Sequence, residues 1–132
     1  ELRGLFVIHD IVARRRTMGF EFTAEHAREM PPVRHPLVQM NAATGRESLL
    51  IGAHADRIDG WPEDESRVLL DELLATAARE ENVYRHEWAD HDLVIWDNRS
   101  ALHRATHYDA TRYRRLMQRT TVQNVKAAGT LA

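Results

Sequence analysis

The sequence predicts a mainly β fold with flanking α-helices, of the antiparallel sandwich or jelly-roll kind. Three observations predict it. Several short apolar segments have the length and residue types of strands, two of them are separated by a hairpin-type turn, and the helical segments lie outside the strands. The strands number about half of those that a closed double sheet needs, so we expect the jelly roll to be incomplete in this chain and to have open edges.

The length of 132 residues predicts a single domain over 1–132. Within it, residues 1–36 are expected to be helices and loops, residues 37–125 to carry the strands with a helix at 62–80, and residues 126–132 to form a tail. The chain begins without methionine, directly in a helical pattern, and therefore reads as a piece of a longer protein.

Composition excludes several classes of function. A formal charge of −2 without a clustered basic stripe predicts no nucleic-acid partner. No apolar run approaches the roughly 20 residues that a membrane helix needs, so no membrane partner is expected. Zero cysteines exclude disulfides and thiolate metal sites and fit a cytoplasmic location.

Local patterns predict the individual elements of the first half. Residues 2–16 are predicted as an amphipathic helix because apolar residues recur there at spacings of three and four. Thr23 is a suitable N-cap for a short helix that ends near Met30. Residues 37–40 and 48–53 are predicted to pair as a hairpin across a turn that contains Gly45.

The second half is predicted to contain one long helix and then strands. Pro62 at the first helical position, acidic residues in the first turn and one apolar face predict a helix over 63–80. The segments that follow have alternating or continuous apolar character and predict strands at 83–88, 93–96, 100–104 and 116–122. The short polar side chains of Asp97-Asn98-Arg99 are expected to hydrogen-bond the backbone of a turn that directs His103 inward.

One histidine and two arginines are the leading candidates for chemistry. His103 follows an apolar strand, and Arg115 and Arg119 come 12 and 16 positions later. An even spacing places both arginines on one face of a strand. They either form a clamp for anions or face outward on an edge strand, where Glu87 or Asp92 could pair with them.

The run Trp96-Asp97-Asn98-Arg99, followed by His103 and the two arginines, resembles the C-terminal motif of iron(II)- and 2-oxoglutarate-dependent dioxygenases related to taurine dioxygenase and the phenoxyacetate herbicide dioxygenases. The resemblance covers nearly the whole chain, and the segments around His54 and His86 look closer to the phenoxyacetate branch. Three departures are Gln39 in place of arginine, Ala89-Asp90-His91 in place of a glycine-containing turn, and Gln118 before Arg119.

The resemblance implies a role for each candidate. His103 would be the late histidine of a site in which two histidines and one carboxylate hold iron(II). Arg115 would bind the far carboxylate of 2-oxoglutarate, since a guanidinium is always charged and binds carboxylates through two parallel hydrogen bonds. Arg119 would pair with the anionic group of the substrate. The implied reaction uses O2 to hydroxylate a small organic anion (a carboxylate, sulfonate or phenoxyacetate-like compound) and yields succinate and CO2.

The early metal pair of such a site is not expected among these residues. His54-Ala55-Asp56 has the letters His-x-Asp, but in the family the iron-binding pair lies much earlier and the segment that matches His54 is not a ligand. The other histidines have no spacing typical of zinc sites (His9, His26, His35, His86, His91 and His107). With one metal ligand of three, the 132 residues alone are expected not to turn over.

Two alternatives stay open at this stage. The chain could be a non-catalytic half jelly roll, a truncated remnant or interaction module that binds anions without iron and hides its open sheet edge as a homo-oligomer. Otherwise, a missing N-terminal half completes the barrel and supplies the remaining ligands.

Overall fold

The computed structural model describes residues 1–122 and divides the chain into two compact units, residues 1–102 and a unit that begins at His103. Helices and strands occur in the first unit, and none of the helices within 1–122 could cross a membrane. In chain order the elements are β1 (Phe6–His9), α1 (Ile11–Arg16), α2 (Ala24–Glu29), β2 (Val33–Pro36), β3 (Val38–Met40), β4 (Glu47–Leu49), β5 (Ala55–Ile58), α3 (Glu63–Ala77) and a short 3-10 helix (Glu80–Asn82). The predicted tail at 126–132 lies outside the described residues.

Strand β1 is the centre of a three-stranded antiparallel sheet with the order β2-β1-β5. Val7 is opposite His35 on one side and Ile58 on the other, and the register shifts between Ile8 and His9. Val7 and His9 are buried while their neighbours are half-buried, which is the two-residue period of a strand. Two of its three strands, β1 and β2, therefore lie in the region 1–36 that was predicted to contain only helices and loops, while β5 lies in the region predicted to carry strands.

The predicted helix over residues 2–16 is wrong in its first half. Residues 6–9 form β1, and only residues 11–16 are helical. The two elements are separated at Asp10, whose backbone is extended and whose carboxylate accepts a hydrogen bond from the Ala13 N–H at 2.8 Å. An N-cap of this kind starts a new helix, because it satisfies a backbone donor that has no partner within the helix.

The predicted hairpin and the short helix after Thr23 are confirmed. β3 and β4 pair antiparallel, with Val38 opposite Leu49, although β4 ends earlier than the predicted 48–53. Gly45 in the connecting turn has a φ of 68°, a left-handed conformation that glycine adopts without strain. The Thr23 hydroxyl accepts the His26 N–H at 3.2 Å and caps α2 as expected.

Helix α3 covers the first sheet and completes the core. It runs over Glu63–Ala77, slightly shorter than the predicted 63–80, and Pro62 occupies its N-cap position instead of its first turn. Leu70 packs with buried residues from the strands and the loops between them (Val7, Leu37, Ile51, Ala55 and Ile58). This small apolar cluster is the hydrophobic core of residues 1–102.

The predicted strands at 83–88, 93–96, 100–104 and 116–122 are not formed; residues 83–122 contain no strand. Their backbone hydrogen bonds are those of local turns, such as Asp92 N–H to Ala89 at 3.2 Å and Tyr113 N–H to Asp109 at 2.9 Å. A strand exists only when a neighbour supplies its hydrogen bonds, and these segments have no such neighbour among the described residues. Apolar side chains in them, Ile95 and Leu116 among others, remain at least 80% exposed.

The buried hydroxyl of Ser66 provides a test of how α3 is attached to β5. Ser66 is fully buried, and its Oγ accepts the Ile58 N–H at 3.1 Å. Ser66→Ala leaves that N–H without a partner and should lower the free energy of unfolding by about 1–3 kcal/mol in urea denaturation. Thr76→Ala, at an exposed site of the same helix, should change it by less than about 0.5 kcal/mol. Equal effects of the two substitutions would contradict this account of Ser66.

Candidate functional site

The predicted site residues His103, Arg115 and Arg119 all belong to the unit that begins at His103. Each is exposed and lies on chain without regular secondary structure. The predicted strand over 116–122 is not formed, so a common face for the two arginines stays a prediction.

The loop between His103 and Arg115 contains a well-bonded turn. The Asp109 carboxylate accepts the Thr111 hydroxyl at 2.6 Å and the Thr111 N–H at 3.0 Å. These bonds favour the carboxylate over the neutral acid, and the Thr111 hydroxyl makes the largest contribution to holding the pKa of Asp109 below its usual range. An Asx turn of this type fixes the local course of the chain between the two candidates.

The two arginines have different surroundings. The Arg115 guanidinium carbon lies 5.8 Å from the centroid of the Tyr108 ring, within the range of a cation–π contact. Arg119 has no ion pair among the described residues. The alternative that Asp92 neutralises an arginine is not observed: its carboxylate lies 3.0 Å from His86 Nε2 and accepts the Ala89 N–H at 2.9 Å.

The polar run before His103 forms a turn as predicted, although His103 itself, which the turn was expected to direct inward, is exposed. The Asp97 carboxylate accepts both the Arg99 N–H and the Arg99 Nε–H, at 3.0 and 2.9 Å, and this pairing holds its pKa below the usual range. The Trp96 indole donates to the Asn98 side chain at 2.7 Å. The turn is also joined to strand β4, because the Ser48 hydroxyl donates to the Arg99 carbonyl at 2.8 Å.

Three histidines for which the sequence predicts no shared role lie together in the first unit. The His9 ring centroid is 4.6 Å from that of His54 and 5.7 Å from that of His35. His9 is 8% exposed, and neither of its ring nitrogens has a hydrogen-bond partner among the described residues. We call these three residues the histidine cluster. The register of β1 against β2 and β5 creates it, and register is not visible in local sequence patterns.

Burial sets the protonation state of this cluster. It lowers the pKa of His9 to about 4, with smaller contributions from the nearby His54 and His35 imidazoles. Burial, followed by the neighbouring His35, also lowers the pKa of His54. His9 is therefore neutral at physiological pH, and the neutral form avoids placing an uncompensated charge inside the protein.

His54 and Asp56, which share the letters of a metal-binding pair, are engaged in separate contacts. His54 packs on His9, whereas the Asp56 carboxylate pairs with the Arg57 guanidinium at 2.6 Å. Within residues 1–122, no three histidine or acidic side chains are arranged to hold a metal ion. Any metal centre that includes His103 would therefore need ligands beyond those that the described residues bring together.

Comparison with known proteins defines the class. The model of the taurine catabolism dioxygenase TauD, TfdA family matches residues 1–121, and the chain belongs to this family. It is 46% identical over 123 residues to the alpha-ketoglutarate-dependent 2,4-dichlorophenoxyacetate dioxygenase of Burkholderia sp. (strain RASC), covering 92% of this chain and 41% of that protein. It is 44% identical over 125 residues to the enzyme of the same name from Cupriavidus pinatubonensis, covering 94% and 44% of the two chains.

A solved structure supports the same assignment. AAD-2 in complex with Mn(II) and N-oxalylglycine superposes with a TM-score of 0.75 at 38% identity, over 81% of this chain and 42% of that one. The likeness confirms the predicted fold class, a mainly β chain with flanking helices that represents part of a dioxygenase jelly roll. The chain spans less than half the length of the relatives described here.

One departure from the family pattern has a visible structural consequence. His91, in the turn where the sequence lacks the expected glycine, has a φ of 73°. This left-handed conformation is costly for residues that carry a Cβ atom and is readily adopted by glycine. The turn thus has a backbone shape that suits glycine while carrying a histidine.

The donors present suit the two groups that the family resemblance implies. The imidazole of His103 is one of the ligand types that iron(II) accepts. The guanidinium of Arg115 matches the geometry of a carboxylate such as that of 2-oxoglutarate. The described residues therefore include a donor type that suits one position of such a metal centre and a guanidinium of the type that binds carboxylates.

The turn between His103 and Arg115 can be tested through the pKa of Asp109. Thr111→Val removes the hydroxyl donor and should raise that pKa toward its ordinary value, because the carboxylate loses a bond that its neutral form does not need. Carbon-detected NMR titration of the Asp109 carboxyl measures the change. Thr106→Val, which alters the same loop without removing a bond to Asp109, serves as the control. An unchanged pKa in Thr111→Val would show that the turn is not held in this way.

Proposed function

We propose that this chain is the C-terminal part of an iron(II)- and 2-oxoglutarate-dependent dioxygenase that hydroxylates a small organic anion and releases succinate and CO2. One observation carries the proposal: His103, Arg115 and Arg119 keep the order and spacing of a metal ligand and two anion-binding arginines. This chain is 46% identical to a 2,4-dichlorophenoxyacetate dioxygenase over 92% of the chain's own length. The substrate class includes carboxylates, sulfonates and phenoxyacetate-like compounds.

His103 would hold the iron through one nitrogen of its imidazole. Bound iron supplies the activation of O2 that hydroxylation of a carbon–hydrogen bond requires. His103 would fix the metal at one position through the lone pair of a ring nitrogen.

Arg115 would hold the far carboxylate of 2-oxoglutarate through two parallel hydrogen bonds. A guanidinium keeps its charge at all physiological pH values, so this clamp does not depend on a titrating group. The Tyr108 ring, 5.8 Å from the guanidinium carbon, provides an apolar surface on one side of the side chain. Holding the co-substrate at its far end orients its keto acid end without blocking it.

Arg119 would bind the anionic group of the substrate. Its guanidinium has no competing ion pair among residues 1–122, so a substrate carboxylate or sulfonate would not have to displace a partner within these residues. This division gives each arginine one anion. The two anions are chemically similar, so position along the chain, and not the type of side chain, would separate their sites.

Replacing the metal ligand tests the proposal most directly. In the full-length protein, His103→Ala should reduce iron-dependent succinate formation by more than about 100-fold, which exceeds the effect of losing an outer partner of a metal ligand. Succinate is measured with iron(II), 2-oxoglutarate and 2,4-dichlorophenoxyacetate as the trial substrate. His107→Ala, four residues further along the same exposed loop, should keep most of the activity. Retained activity in His103→Ala would reject the assignment. Metal-independent sulfate binding by a wild-type protein that makes no succinate would favour the non-catalytic alternative.

The two arginines should affect different ligands. Charge-assisted hydrogen bonds are worth about 1.5–3 kcal/mol, so Arg115→Ala should raise the KM for 2-oxoglutarate roughly 10- to 100-fold and change the KM for substrate much less. Arg119→Ala should show the reverse pattern. Steady-state kinetics with each ligand varied in turn measures both constants. Equal changes in both constants for both variants would contradict the division of labour, even if the enzyme class were correct.

A further inference from the structure

The histidine cluster joins the strands of the first sheet, and the proposed oxidation chemistry gives it no role. His9 lies at the end of β1 and His35 lies within β2, while His54 directly precedes β5. The backbone continues this link, because the Asp10 N–H donates to the His54 carbonyl at 2.9 Å. The three rings thus lie on or next to three neighbouring strands and meet near the end of the central strand β1.

Within residues 1–122, none of the three histidines of the cluster forms an ion pair with a carboxylate that could balance a positive charge. Several charged side chains on β1's neighbours and on the adjoining helices are engaged elsewhere. Asp10 caps α1, Arg57 pairs with Asp56, Arg34 pairs with Asp59, Arg67 pairs with Asp71, and Arg14 of α1 brings a further positive charge whose Nε is buried without a hydrogen-bond partner among the described residues. Protons taken up by the rings would therefore remain uncompensated within the fold.

We propose that the histidine cluster is an acid-sensitive device that keeps the β2-β1-β5 sheet closed while its imidazoles are neutral and opens it when they take up protons. The buried position of His9 carries the argument, since both of its ring nitrogens lack partners among the described residues. Protonation would create a second N–H donor and a full charge at a site where the ring is packed against two other imidazoles. Opening the sheet lets these groups reach water.

The direction of the pH effect follows from proton linkage. The folded-state pKa of His9 is about 4, below its ordinary value of 6.5, so the open chain binds a proton more readily than the closed sheet. Stability of the sheet is complete above pH 6.5 and is lost as pH falls from there toward 4. His9 alone should raise the opening constant about twentyfold between pH 7 and pH 5.

Amide hydrogen exchange of the full-length protein tests this proposal locally. Protection factors of β1 amides should fall about twentyfold between pH 7 and pH 5, once corrected for the intrinsic pH dependence of exchange. In His9→Phe, which keeps an aromatic ring but cannot titrate, this fall should become much smaller, with only the contribution of His54 remaining. His26→Gln, at an exposed site on α2, should keep the wild-type fall. Identical pH dependence in wild type and His9→Phe would overturn the proposal.

A second measurement needs no altered protein. Proton NMR titration of the His9 ring in the wild type, with the signal assigned by through-bond experiments, should give a midpoint well below 6.5. A midpoint at or above 6.5 would overturn the proposal even if His9→Phe failed to fold. Because neither experiment requires iron or 2-oxoglutarate, their outcome is independent of the dioxygenase assignment.

Discussion

Strand β1 supports the described fold because it is hydrogen-bonded along both of its edges. It pairs with β2 on one side and β5 on the other, and its Val7 side chain is fully buried. Without β1, the two outer strands would have no common neighbour, and α3 would lose the sheet against which Leu70 packs. Each backbone group taken from water in such a core must find a partner, so the placement of β1 determines which other segments can be strands.

The same requirement accounts for the chain beyond the 3-10 helix. Residues 83–122 contain apolar segments with strong strand propensity, but propensity expresses a fit to a pleated surface and cannot supply missing hydrogen bonds. Local order there comes from side chains that accept backbone N–H groups, as at Asp97 and Asp109. The candidate residues His103, Arg115 and Arg119 thus lie between or beside turns whose shape is set by neighbouring residues in sequence.

Elements that depend on neighbours in sequence were predictable, and elements that depend on distant partners were not. The helix over Glu63–Ala77 and the hairpin around Gly45 follow from periodicity, capping and turn chemistry. β1 was mistaken for helix because consecutive apolar residues fit both the helical and the strand period. For the site, His103 and the arginines could be found from a motif, whereas the contact between His9 and His54 arises from strand register and was missed.

The central position of β1 also governs the order in which this unit can assemble. Val7 pairs with Ile58, so about fifty residues must be in place before the sheet can close. By contrast, the β3–β4 hairpin and α3 involve only nearby residues and can form earlier at little entropic cost. During synthesis from the N-terminus, β1 can pair with β2 first, but its other edge stays unpaired until β5 emerges. A substitution that makes this early segment more apolar would slow folding or promote aggregation while changing the folded structure little.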